Sequence, residues 1–84
     1  MFQVYILRSL RNGHLYVGIT NDLPRRIGQH NEGTGGRFTR AQGPWELRYS
    51  EEHPDRSSAT RRECLLKSAA GRQEKMRLAG TSPE

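Results

Sequence analysis

The pair Asn12-Gly13, set between two apolar, β-branched runs, constrains this chain more than any other stretch. Asn-Gly readily takes the positive-φ conformations of a two-residue type I′ turn, so residues 4 to 20 read as a β-hairpin. Such a turn fixes the register. With Arg11 opposite His14, Ser9 pairs with Tyr16, Leu7 with Gly18 and Tyr5 with Thr20. Side chains alternate with period two, so Tyr5, Leu7 and Ser9 share a face with Tyr16, Gly18 and Thr20. Both phenols then point the same way, and Gly18 is expected to leave open space beside them. Ordinary sheet packing is the alternative, since aromatics are good strand residues.

After the hairpin, Asn21-Asp22-Leu23-Pro24 has the form of a helix start, with a polar cap candidate and a proline tolerated in the first turn. The helix is predicted to run to about Asn31. Leu23, Ile27 and His30 follow at i, i+4 and i+7, one buried stripe; Arg26 borders that stripe and Arg25 faces solvent. Residues 32 to 44 form a glycine-rich connection. Gly33, Gly35 and Gly36 would let backbone approach a phosphate chain that Arg37 and Arg40 neutralise, or serve only as a flexible link. Trp45 to Tyr49 alternates apolar and charged residues, which predicts a third strand with Trp45, Leu47 and Tyr49 turned to the core. His53-Pro54-Asp55 ends it, with Glu51 and Glu52 in the turn. A second helix is expected from Ser57 or Ser58, a serine cap, to about Ala70. Its buried stripe is Ala59, Leu66 and Ala70, with Leu65 and Ala69 alongside and Glu63 at the edge. Gly71 interrupts the pattern before a short last helix, Arg72 to Leu78, and residues 79 to 84 read as a frayed tail.

Eighty-four residues fit one domain, 1–84, with an ordered core of about 2–78. The expected fold is α/β, more strictly α+β: a three-stranded, mainly antiparallel sheet packed with helices in the order ββαβαα. A chain this short buries only roughly 60–65% of its unfolded surface, so the core is thin. No apolar run is long enough to cross a membrane. Met1-Phe2-Gln3-Val4 leads directly into a strand without a secretory signal, so a cytoplasmic location is expected. Cys64 stands alone, which excludes an internal disulfide and a thiolate zinc site; it reads as a small, semi-buried helix residue. The formal charge is +5, concentrated in residues 1–50, and favours a polyanionic partner.

Gln3-Val4-Tyr5, then Tyr16-Val17-Gly18 after ten intervening residues, then Arg26 and His30 on the next helix, resembles the GIY-YIG nuclease family. The likeness extends over Val4 to Leu7, Leu15 to Leu23, Arg25 to Gly33 and Arg62 to Lys67, and is nearest to the small stand-alone branch. Thr20 and Asn31 fit that branch. The chain departs from the family at Gln3, where glycine is usual, and carries no asparagine in the final helix. His14 and His53 have no family role and read as turn and loop residues.

The resemblance implies a metal-dependent endonuclease that hydrolyses DNA phosphodiester bonds, with Tyr5, Tyr16, Arg26, His30 and Glu63 as catalytic residues and Gly18 as a structural element of the motif. Glu63 would hold one divalent cation, Mg²⁺ or Mn²⁺, completed by water and phosphate oxygens. Arg26 would brace charge developing on phosphate. Tyr16 would relay the nucleophile's proton, Tyr5 would orient the water, and His30 would accept that proton or hold a tyrosine. A phenol is a poor base near neutrality, so this scheme requires the cation and Arg26 to favour its phenolate. Arg25, Arg37, Arg40 and Lys67 are the expected nucleic-acid contacts. Each residue has a plainer reading: a salt bridge to Lys67 for Glu63, a surface position for Arg26, a polar helix cap for His30. The expected partner is DNA, with RNA as an alternative, and a targeting protein is expected because family members that act at defined sites bring additional domains. A monomer or weak homodimer is expected. A catalytically weak nucleic-acid-binding module of the same fold is the second functional reading, and a protein-interaction domain the third.

Overall fold

The computed structural model describes residues 1–32 and 43–80. Strands β1 (Phe2–Ser9) and β2 (Leu15–Thr20) form the hairpin; helix α1 (Leu23–Glu32), strand β3 (Trp45–His53) and helix α2 (Arg56–Lys67) follow. A 3-10 turn, Ala69–Gly71, leads into α3 (Arg72–Leu78). The sheet is antiparallel with β1 in the centre, in the order β2-β1-β3. This is the α+β arrangement ββαβαα that the residue pattern predicts. No helix among the described residues is long and apolar enough to cross a membrane.

The hairpin register differs from the expected one by two residues. Tyr5 pairs with Gly18 and Leu7 with Tyr16, leaving residues 10–14 in the loop. Ser9 is the cause: its Oγ accepts from the Arg11 and Asn12 N–H groups, while Asn12 Oδ1 accepts from the His14 N–H. These side-chain bonds build a wider turn in which Gly13 alone has positive φ, at 80°, so a type I′ turn is not formed. An even slip preserves side-chain parity, and Tyr5 and Tyr16 still share a face.

Alternate residues of β1 feed two separate cores. Val4 and Ile6 pack with Val17, Ala59, Leu66 and Ala79 on the α2–α3 side, while Tyr5 and Leu7 pack with Leu23 and Trp45 on the α1 side. A bulge lets β3 serve both. Leu7 faces Leu47 and Ile6 faces Tyr49, so Arg48 is the extra residue and the alternation inverts there. Trp45 is therefore buried on the α1 side and Tyr49 packs on the other, while Leu47, expected in the core, is 40% exposed. Arg48 Nε donates to the Ala79 carbonyl at 2.7 Å, so Ala79, expected in the tail, is tied down and buried.

Helix α1 begins as expected, with Asp22 Oδ1 accepting from the Arg25 N–H, and buries Leu23 and His30. In α2 the cap is Asp55, not Ser57 or Ser58: its carboxylate accepts from the Ser58 N–H at 2.8 Å. The helix stops at Lys67, because the extended Ser68 backbone and its hydroxyl bond to the Leu65 carbonyl end the run. Its buried stripe shrinks to Ala59 and Leu66, seven residues apart; Cys64, Leu65, Ala69 and Ala70 are exposed. Gly71 is pressed against the Leu65 carbonyl, where any Cβ would collide.

Glu51 and Glu52 lie in β3 and not in a turn. Glu51 accepts from the Tyr49 hydroxyl at 2.6 Å and pairs with His53 at 2.6 Å and Arg62 at 3.0 Å; Arg62 also pairs with Glu74. Burial opposes ionisation of Glu51, but the bonds from Tyr49, His53 and Arg62 outweigh it and hold the carboxyl below its usual range. The network joins β3, α2 and α3, and gives His53 a partner on the strand.

Candidate active site

On the α1 face, β1 and β2 present Tyr5 and Tyr16 side by side, with ring centroids 6.3 Å apart. The space beside them is filled. A Cβ at Gly18 would lie 2.5 Å from the Tyr5 hydroxyl and 3.1 Å from the Tyr16 ring, so glycine is what seats the Tyr5 phenol against the neighbouring strand. His30, on the same face of α1 as Leu23, is 1% exposed, which excludes a solvated cap. Its Nε2 and the Tyr5 hydroxyl are hydrogen-bonded at 2.9 Å, and its ring meets Tyr16 edge-on with centroids 4.9 Å apart. Trp45 packs against Tyr16 at 6.2 Å.

One helical turn before His30, Arg26 enters the same cluster, where the two phenols favour its charged form. It is not a plain surface residue. Gln29 Oε1 accepts from Arg26 Nη1 at 3.0 Å and helps orient the guanidinium. Burial pushes the Tyr5 phenol up to about 12, opposed by the hydrogen bond and charge of Arg26 and assisted by the charges of Tyr16 and Glu63. Burial, followed by the Arg26 charge, lowers the His30 imidazole to about 4. At neutral pH the cluster therefore holds a neutral imidazole, a protonated Tyr5 and one fixed cation.

Glu63 and Lys67 come from α2, whose buried residues belong to the other face, and reach the phenols past β2. The Lys67 ammonium lies 5.9 Å from the Tyr16 ring centroid. It also pairs with Glu63 at 3.1 Å, the plain salt bridge that their spacing allows. Lys67 is half exposed and can swing away, whereas the Glu63 side chain is only 18% exposed and stays at the rim. One carboxylate in that position fits a hard cation that takes its other ligands from water and phosphate. Among the described residues, no three His, Cys, Asp or Glu side chains are grouped to chelate a metal ion.

Five expected site residues, Tyr5, Tyr16, Arg26, His30 and Glu63, are thus brought together with Gly18 and Lys67, whereas Arg25 is exposed and stands outside that cluster. Arg37, Arg40 and the three loop glycines lie outside the described residues. Gln29 was missed by sequence reasoning, although it was legible as the i+3 neighbour of Arg26. Asn31 was read only as fitting the family branch, and its role was not legible: its Oδ1 accepts from the Trp45 N–H at 2.6 Å and its Nδ2 donates to the Trp45 carbonyl at 3.2 Å, locking the end of α1 to β3. Nothing local announces a contact across fourteen residues.

The family model described as the GIY-YIG catalytic domain matches residues 1–77. A UPF0213 protein of Xanthomonas axonopodis pv. citri is 56% identical over 66 residues, covering 79% of this chain and 64% of that protein. The chain therefore spans a little under two thirds of the length of these Xanthomonas relatives. A UPF0213 protein of Halobacterium salinarum is 36% identical over 74 residues, 88% of this chain and 95% of the relative. The solution NMR structure of a UPF0213 protein from Bacillus halodurans shares 33% identity and superposes with a TM-score of 0.55, covering 99% of this chain and 89% of that one. The paired tyrosines, Gly18, Arg26, His30 and Glu63 thus sit in a chain that belongs to the GIY-YIG catalytic-domain family, in its UPF0213 branch.

Proposed function

We propose that this protein hydrolyses phosphodiester bonds of DNA with one divalent cation, Mg²⁺ or Mn²⁺, held by Glu63. The observation that carries the reading is the cluster itself: Tyr5 bonded to His30, Tyr16 edge-on to the same ring, Arg26 one helical turn before it, and the Glu63–Lys67 pair against Tyr16. Sheet packing needs neither the guanidinium nor the carboxylate. When bound, the cation supplies Lewis-acid stabilisation of charge on the phosphate and on the departing oxygen. Arg26 braces the non-bridging oxygens with a planar, permanently charged fork. Tyr5, protonated and fixed by His30, orients the attacking water. Tyr16 relays the water's proton, giving up its own phenolic proton towards His30, which is neutral under working conditions, as it accepts the new one. With a cation bound, Glu63 would hold it in place of Lys67, whose exposed ammonium would then be available to phosphate.

The Glu63–Lys67 pair favours a second reading, in which the carboxylate stays neutralised and the domain binds nucleic acid without turnover. Cleavage of labelled single-stranded, duplex and branched DNA, and of one RNA, decides between them. We expect cutting that requires the cation and falls by about 10³-fold in Glu63→Ala and in Arg26→Ala, the scale of removing a main charge-stabilising group. Binding without cutting, unchanged by Glu63→Ala, would establish the second reading. Equal cutting by all three proteins would remove the site assignment.

A further inference from the structure

Arg26 also lines an open groove of about 350 Å³ whose walls include Phe2, Asp22, Arg25, Gln29 and Arg56. Three guanidinium groups from two helices face this space, against one carboxylate. Asp22 does not offset them well, since its Oδ1 is turned to the helix start and accepts from the Arg25 N–H at 3.3 Å. Arg56 lies over the Phe2 ring, 5.6 Å from its centroid, a contact that holds the cation in place without cancelling its charge. Three other cations of the fold are paired: Arg48 with Glu46, Arg62 with Glu51 and Glu74, Lys67 with Glu63. Among the described residues, neither Arg25 nor Arg56 forms an ion pair. Like charges gathered beside one another oppose the fold unless an anion joins them. An open groove suits a chain of phosphates that continues past its walls better than a small enclosed anion.

We propose that this groove binds the sugar–phosphate backbone flanking the scissile phosphate, with Arg25 and Arg56 each on a neighbouring phosphate and Phe2 as the platform that positions Arg56. The assignment rests on the nuclease reading for its direction, because Arg26 is the group shared between groove and cluster. It makes Arg56, the first residue of α2, a substrate-binding residue that touches no reacting atom.

The full chain is compared with Arg56→Gln and Phe2→Leu, with thermal melts confirming that each variant folds. Oligonucleotide affinity is measured in chelator across a salt series, and cleavage kinetics are measured with Mg²⁺. Each phosphate contact contributes roughly 0.7 to 0.9 to the slope of log affinity against log salt. Arg56→Gln should lower the slope by about that amount and raise KM several-fold with kcat held, the signature of lost uniform binding. Phe2→Leu should fall between Arg56→Gln and the wild type. A neutral methylphosphonate, scanned singly through the phosphates on both sides of the cut, should weaken wild-type binding at several positions, at one of which Arg56→Gln is unaffected. Wild-type slope and KM in Arg56→Gln, or methylphosphonate losses equal in both proteins, would overturn the groove assignment while leaving cleavage intact. Salt-dependent binding by a wild type that never cuts would remove the nuclease reading alone, and the slopes would still judge the groove. A wild type that binds no nucleic acid would remove both.

Discussion

On the α1 side of β1 the buried side chains are Tyr5 and Leu7, met by Leu23, Tyr16, His30 and Trp45; on the other they are Val4 and Ile6, met by Val17, Ala59, Leu66 and Ala79. The second set is aliphatic, and the charges beside it include the paired Glu51–Arg62–Glu74 chain. The first is aromatic and polar, with Arg26 beside two phenols and a neutral imidazole. One strand thus separates an aliphatic core from a polar, aromatic cluster by residue parity. A thin domain gains from this division, because a polar group buried among aliphatic residues costs stability wherever it lacks a partner.

The division is broken if variants on the two faces act on both stability and activity. The largest separation is expected between Glu63→Ala and Leu66→Ala. The first should lower cleavage by about 10³-fold, about 4 kcal/mol of barrier, with unfolding free energy changed by no more than about 0.5 kcal/mol. Leu66→Ala should cost about 2–5 kcal/mol of stability through lost packing and a cavity, with unchanged kcat per folded molecule. Denaturant titration beside single-turnover cleavage reads both quantities, and a Leu66→Ala protein that folds well but cuts poorly would erase the distinction.

His30 sharpens the comparison through pH. Its folded value of about 4 lies below the ordinary 6.5, so the unfolded chain binds the extra proton first. The stability tied to the neutral ring is complete above 6.5 and declines as pH falls towards 4. The loss is on the order of 3 kcal/mol from pH 7 to pH 4. His30→Gln should flatten that part of the profile in urea titrations across pH; an unchanged profile would show that other groups carry it. A smaller loss of stability than that of Leu66→Ala is expected from Gly18→Ala, about 1–3 kcal/mol from overpacking against Tyr5. Its cleavage should nonetheless fall further than that of Leu66→Ala, because the displaced phenol is the one bonded to His30.

The hairpin, the shared face of the tyrosines and the Leu23–His30 stripe were legible because each rests on a short-range period. The register was not, because Ser9 and Asn12 compete for turn backbone through their side chains, and an Asn-Gly pair does not reveal which turn wins. Leu47 was misplaced for a related reason: strict alternation assumes an unbroken ladder, and the bulge at Arg48 leaves no mark in the apolar pattern. In α2, Leu65 and Leu66 are indistinguishable by composition, and only the packing of Leu66 on the sheet decides which is buried. The site residues themselves were reached through family resemblance. Spacing alone left Glu63 as a surface salt bridge, and that bridge is present alongside the cluster it borders.

The extra residue at Arg48 has a bearing on solubility as well. β3 is an outer strand, and a long regular outer strand offers a neighbouring molecule a row of unpaired N–H and C=O groups on which to extend the sheet. The bulge puts that row out of step midway, and the exposed Glu46, Arg48 and Glu52 along it oppose the close approach that intermolecular pairing demands. The same irregularity that lets one strand supply two cores thus protects an open sheet edge from becoming a template for aggregation.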